Sequence, residues 1–199
     1  MNNVLILQST KKDAMSQETL APKLQELIDR QQIHDCILRY CSGVDRFDRE
    51  MLLSVYHPDA VDDHGAFVGG REAFVDWAFA YHGKYQHTHK HFVLNHRCEL
   101  DGDTAHTETY WLFVGNNRHE PLASLHTGRY LDRFEKRNGN WAIAARKCII
   151  EGGGALTDIP VHPAALAAYA ATGVASRDKS DPSYARPLVI TREAQALPF

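Results

Sequence analysis

The sequence predicts an α+β fold. Its first half carries hydrophobic residues at helical spacing, its second half alternates with period two, and two tight-turn signals cut that second half into hairpins. Helices first and long strands afterwards argue against the regular β/α alternation that builds a parallel sheet.

Residues 1–17 are polar, lack periodicity and are expected to form a flexible N-terminal arm. From Thr19 the pattern turns helical: Leu20, Leu24, Leu27 and Ile28 share one face. A second stripe, Ile33, Ile37, Tyr40, Cys41 and Val44, follows after a change of phase near Arg30, which fits a bent helix or two abutting ones. Gly43 is placed to end it. A short helix over Asp48–Tyr56 is stopped by His57-Pro58, and Ala60–Asp63 is a candidate strand. Glu72–Tyr81 carries Phe74, Trp77, Ala78 and Tyr81 on one helical face. Strands are expected at 89–100 and 104–114, joined by Asp101-Gly102-Asp103, and at 123–136 and 140–150, joined through Asn138-Gly139. Residues 18–151 thus read as one domain and 152–199 as a C-terminal extension. Gly152-Gly153-Gly154 reads as a hinge or a close backbone approach. An Ala-rich helical run spans Pro163–Thr172, and the extension is expected to lie over the domain or a neighbouring subunit.

Composition narrows the function. The 199 residues are 44% hydrophobic and 24% charged, with a formal net charge of −3. Such a chain is globular and offers no broad positive field for nucleic acid. No segment approaches the ~20 apolar residues that span a bilayer, and the short run Val4–Leu7 has no basic region ahead of it, so neither a membrane span nor a signal peptide is expected. Cys36, Cys41, Cys98 and Cys148 show no paired spacing and read as reduced core residues of a cytoplasmic protein. Histidine is the unusual count: there are 12, and five fall between His82 and His96. It is the side chain whose ordinary pKa lies nearest neutrality.

Three segments, RYCSGVDRFD (39–48) with YHPDAVDDHGAFVGG (56–70), HFVLNHRCELDGDTAHTETYW (91–111) and GRYLDRFEKRNGNWAIAARK (128–147), together resemble the SnoaL-like group of the NTF2-like superfamily. The resemblance covers roughly residues 25–150. It implies a cone: helices packed into a strongly curved antiparallel sheet around one apolar pocket. Its chemistry is similar to the scytalone dehydratase, lindane dehydrochlorinase and bile-acid 7α-dehydratase types, which work without cofactor or metal. The resemblance places their aspartate at Asp45, their histidine at His91 (with Asn95 four residues on), a polar pocket residue at Tyr40 and a pocket arginine at Arg146. It also implies a homodimer or homotrimer. The superfamily holds isomerases, carbon–carbon lyases that release formaldehyde from lignin-derived aromatics, and modules that only bind or assemble, so fold alone does not choose among them.

Residue chemistry gives these positions content. An eliminating enzyme needs a base for a carbon-bound proton and an acid for the leaving group; a histidine with a carboxylate on its far nitrogen suits the first role. From residue type alone Asp45 is equally a turn or N-cap residue. His87, His89 and His91 alternate along one strand face, which fits a pocket base with two neighbours at its mouth, a solvated edge, or a metal site completed by Glu108. Tyr40 lies in an apolar stripe and is either a core tyrosine or a donor to substrate oxygen. Arg146, on the small-residue face Ala142, Ala144, Cys148, Ile150, either leaves room for an oxygenated ligand or pairs with Glu108. His64, beside Asp62 and Asp63 in an expected loop, is a candidate for the pocket rim, and His89 and Asn95 for substrate contact. Phe67, Trp77 and Trp111 are candidates for an aromatic wall that would suit a small, mainly apolar, aromatic or polycyclic substrate.

Overall fold

The computed structural model describes residues 5–157, 167–168, 170–190 and 192, with side chains from residue 20 onward. In chain order the elements are α1 (Leu5–Arg46), α2 (Arg49–Ser54), β1 (Tyr56–Asp63), β2 (Val68–Gly70), α3 (Arg71–Tyr85), β3 (Gln86–Asp101), β4 (Thr104–Asn117), β5 (Ala123–Arg137) and β6 (Asn140–Ala155), then a single 3₁₀ turn at Pro182–Tyr184. Six strands form one curved, unclosed sheet in the order β2-β1-β6-β5-β4-β3. Helices lie in its concavity, as an NTF2-like cone requires.

The sheet is mixed rather than purely antiparallel, because β1 runs parallel to β6. No local turn signal announces that pairing; it forms because the short α2 returns the chain to the far end of β6. Pro58 sits inside β1 instead of stopping a helix. It is tolerated because the β1–β6 register shifts between Tyr56 and Val61, leaving the stretch around the proline out of the ladder. The hairpins formed where expected. Asn138 (φ 52°) and Gly139 (φ 79°) are both left-handed, the conformation a two-residue turn between right-twisted strands needs.

The two stripes of the leading helix have different fates. Ile33, Ile37, Tyr40, Cys41 and Val44 are all at most 6% exposed and fill the cone. Leu20, Leu24, Leu27 and Ile28 are 48–63% exposed. They belong to one continuous 42-residue helix, with Pro22 inside it, that overhangs the sheet. Its last anchors are Asp29, which accepts from Trp141 Nε1 (2.9 Å) and Lys136 Nζ (2.8 Å), and Arg30, which donates to the Cys98 carbonyl. N-terminal to those contacts the strands have ended, so the apolar face has nothing to cover.

Gly43 does not stop α1, which runs on to Arg46 and is closed by Phe47 at φ 53°. Its role is clearance: a Cβ there would lie 2.9 Å from the Leu52 backbone nitrogen, so glycine lets α2 pack against α1. Gly152-Gly153-Gly154 is likewise no hinge. It is paired with Thr127, His126 and Leu125 at the end of β6, and a Cβ on Gly153 would meet the His126 ring at 2.3 Å. Half of the Ala-rich run at 163–172 and residues 1–4 of the expected arm lie outside the described residues, while the rest of that arm is not flexible coil but the first turns of α1. The described extension folds back over the α1–α2 corner: Lys179 and the Tyr184 hydroxyl both bind Asp48, and Arg46 pairs with Asp181 at 3.3 Å. The four cysteines are free and, Cys98 apart, buried. Among the described residues no helix is long and apolar enough to cross a membrane.

Candidate active site

Asp45 occupies the last turn of α1, where a negative charge faces the helix's own partial negative end, a placement that costs about 0.3–1 kcal/mol. It is held by donors from β3. His91 gives it two, its backbone N–H to Oδ2 (3.0 Å) and its ring Nδ1–H to Oδ1 (2.6 Å). A carboxylate can only accept, so the proton of neutral His91 sits on Nδ1 and the Nε2 lone pair is free. The ring lines a cavity of about 230 Å³.

That cavity is mainly aromatic. Tyr40, Phe74, Trp77, Tyr81, Trp111, Phe113 and Tyr130 line it, with His64, His82, His91 and His126 as polar members. A larger groove of about 530 Å³ lies across the charged, solvent-facing side of the sheet, edged by Arg97, Glu108 and Arg129. Its carboxylates Glu108 and Asp132 are taken up in ion pairs with arginines, so the smaller, apolar cavity that holds His91 is the better place for chemistry.

Behind His91 stands a packed histidine pair. His89 is 1% exposed, and its ring lies 4.0 Å from that of His82, nearly parallel at 17°. Arg177, from the C-terminal extension, donates to His89 Nδ1 (2.9 Å) while its guanidinium covers the Phe47 ring at 4.5 Å. Arginine has no acceptor, so His89 carries its proton on Nε2, facing Asp45 Oδ1 at 3.5 Å. Burial, with like charge nearby, pushes His82 down to about 3 and His89 well below the ordinary imidazole range. Asp45, His89 and His91 bring potential ligand atoms within 4.8 Å of one another. The donor set fits a divalent cation poorly: the Nε2 of His89 is protonated, and the Arg177 guanidinium stands directly behind it.

Arg146 is fully buried and bidentate to Asp132, with both N–O distances at 2.7 Å. The rings of Tyr40 and Tyr130 sandwich its guanidinium, each 4.1 Å from Cζ. The carboxylate and the stacked rings outweigh burial and keep Arg146 charged, its pKa well above the usual value. Burial pushes the Tyr40 and Tyr130 phenols well up, so both stay protonated.

Another cavity histidine, His64, belongs to a second carboxylate–imidazole pair. Asp62 is in β1 rather than in a loop, and it accepts from the Tyr56 hydroxyl (2.6 Å) and from His64 Nδ1 (2.6 Å). Gly65 at φ 73°, with its N–H on Asp63 Oδ1 (3.1 Å), makes the tight turn that folds His64 back over the cavity.

The structure therefore brings together Asp45, His91, Tyr40, His64, Trp77 and Trp111, and sets Arg146 behind Tyr40. Other expected positions are elsewhere. Glu108 is on the outer face, paired with Arg129 (2.8 Å) and Arg97 (3.4 Å), so it neither partners Arg146 nor completes a metal site. Asn95 is exposed: the β3–β4 register shifts between Val93 and His96, and this bulge turns the strand's alternation over after Val93. His89 lies behind Asp45 instead of at the pocket mouth, and His87 is exposed, next to Arg118. Phe67 supports the wall from outside, stacked on Trp77 at 5.4 Å. His82, Asp132, Tyr130 and Arg177 were missed; only the crowding of histidines after His82 hinted at the first, and nothing local marks the others.

Comparison with known proteins agrees with this fold. The model of the SnoaL-like domain matches residues 25–147. Among solved structures, a hexachlorocyclohexane dehydrochlorinase (LinA) type 2 is 25% identical, with TM-score 0.64 over 71% of this chain and 97% of that one. A putative scytalone dehydratase from Novosphingobium aromaticivorans is 18% identical, with TM-score 0.60 over 69% of this chain and 94% of that one, a likeness of fold. No curated protein matches in sequence. With the family model spanning well over half its length, the chain belongs to the SnoaL-like domain family, in an NTF2-like cone.

Proposed function

We propose that this protein is a lyase that eliminates a leaving group from a small, mainly apolar, aromatic or polycyclic substrate, using its own side chains for proton transfer. The observation that carries the proposal is the orientation of His91. Its Nδ1–H is tied to Asp45, which leaves the Nε2 lone pair for substrate, and its ring lines an aromatic cavity. His91 Nε2 removes the proton from carbon; Asp45 fixes the tautomer and stabilises the imidazolium that forms, as the carboxylate of a catalytic triad does. Tyr40 closes the cavity beside the base, its ring centroid 6.4 Å from that of His91, and the Arg146 guanidinium on its face holds it in place. Similarity to a dehydrochlorinase supports elimination over other chemistries of the fold.

The test is a screen of aromatic and steroidal alcohols and halides with mass detection. Elimination lowers product mass by water or hydrogen halide, isomerisation leaves it unchanged, and carbon–carbon cleavage releases a trappable aldehyde. His91→Ala should keep the fold, judged by circular dichroism, and lose turnover. Full activity in that variant would refute the assignment.

A further inference from the structure

Resting on that reading, we infer that His64 is a second catalytic residue, the general acid of the reaction, and that the leaving group is therefore an oxygen rather than a halide. The inference starts from a duplication. His91 and His64 each give Nδ1 to a carboxylate at 2.6 Å, and both rings line one cavity. They come from different places: His91 lies on the edge strand β3, while His64 follows β1, beyond β4, β5 and β6 in the sheet order. Curvature of the sheet sets them on separate walls. Tyr130 and Tyr40 bridge the gap, with centroid distances of 6.1 Å from His64 to Tyr130, 5.4 Å from Tyr130 to Tyr40 and 6.4 Å from Tyr40 to His91.

The two imidazoles have different neighbours. Facing His64 are Asp62 from β1, with the Tyr56 hydroxyl on its other oxygen, Tyr130 and Asp132 from β5, and His82 from α3. Asp62 and Asp132 have fully buried side chains, and the Arg146 guanidinium pairs with Asp132. Asp62 holds the His64 ring through Nδ1 as Asp45 holds His91, while Asp132 is committed to Arg146 by two hydrogen bonds. Behind His91 the neighbours are of another kind: a stacked histidine pair, with Arg177 donating to His89. An elimination needs both a base and an acid, and two oriented imidazoles on separate walls of one cavity can divide those roles.

In the step proposed, the C–H bond breaks as His91 Nε2 accepts the proton, and its electron pair forms the carbon–carbon double bond. The neighbouring C–O bond breaks with its pair going to oxygen, and the His64 Nε2 proton converts that oxygen to water. His91 ends protonated and His64 neutral; proton exchange with water restores both. Chloride leaves unprotonated and makes no use of such an acid, whereas hydroxide leaves poorly without one.

The experiment compares two probes giving the same enone, read by its ultraviolet absorbance: a β-hydroxy ketone with a phenyl group on the β-carbon, and its β-acetoxy analogue, whose leaving group needs no acid. His64→Gln and Asp62→Asn should each slow the hydroxy probe at least ~30-fold more than the acetoxy probe, within the roughly 10²–10⁴ range of general acid catalysis. His91→Ala should abolish both. Equal losses on the two probes, or none on the hydroxy probe, would overturn the role of His64 and leave the His91 reading standing. If the wild type turns over neither probe, elimination from such ketones fails, and nitrogen-15 NMR of the His64 ring decides the present point. An imidazolium at neutral pH that is lost in Asp62→Asn supports the acid; a ring still neutral at about pH 5, below the ordinary imidazole range, overturns it.

Discussion

Replacing Asp132 by Ala isolates the most costly interaction in the cone. In the native fold Arg146 and Asp132 have no exposed side-chain surface, and two parallel hydrogen bonds of 2.7 Å join them. One guanidinium nitrogen, Nη1, already has no partner. Removing the carboxylate therefore strands a buried cation, a change that costs about 3–5 kcal/mol. That is a large share of a total stability of roughly 5–15 kcal/mol. At about 2–4 °C per kcal/mol for a chain of this length, the melting temperature should fall by roughly 6–20 °C. The paired replacement Asp132→Leu with Arg146→Met removes the charge together with its partner. It forfeits the two ring contacts at 4.1 Å, worth up to about 2 kcal/mol each when desolvated, but also removes the cost of burying two ions. It should stay within about 2 kcal/mol of wild type. Urea denaturation followed by the fluorescence of Trp111 and Trp141 measures both. A single variant that loses less than about 1 kcal/mol, or a double variant no more stable than the single, would refute the argument that the pair exists to hold a buried charge.

Two further outcomes follow from the histidine pair and its clamp. His82, held down to about 3, and His89, also pushed well down by burial, stay neutral in the fold but take up protons near pH 6.5 when the chain unfolds, so stability is lost as pH falls below that value. Between pH 7 and pH 5 the two together should remove roughly 4 kcal/mol, and His82→Gln should halve that loss; a urea midpoint unchanged across this range would contradict the burial argument. Arg177→Ala should destabilise by about 1–3 kcal/mol by leaving a buried imidazole nitrogen without its donor. It should also lower kcat more than it raises KM, since Arg177 stands behind the dyad and lines no part of the cavity; a change in KM alone would assign it to substrate binding instead.

Much of the fold was legible because its signals are local. Period-two patterning and the Asn138-Gly139 and Gly102 turns place β3 to β6, and the Ile33–Val44 stripe marks the part of α1 that is buried. The Leu20–Ile28 stripe has the same spacing and lies in solvent, since spacing records which residues share a face and not whether a sheet is there to meet it. The same division runs through the site. Asp45 and His91 were named from a motif, and the structure joins them through a ring and a backbone N–H. Asn95 was misplaced because a bulge, invisible in the sequence, reverses every side chain after it. Tertiary structure alone decided that β1 runs parallel to β6, that Arg146 meets Asp132 across neighbouring strands, that the distant extension delivers Arg177 to His89, and that Asp62 and His64 form a second dyad. Those pairings join residues from separate elements or depend on how a turn is folded, and the physical interaction that selects them, partnering of charge in a place without water, comes into being only when the chain has closed around it.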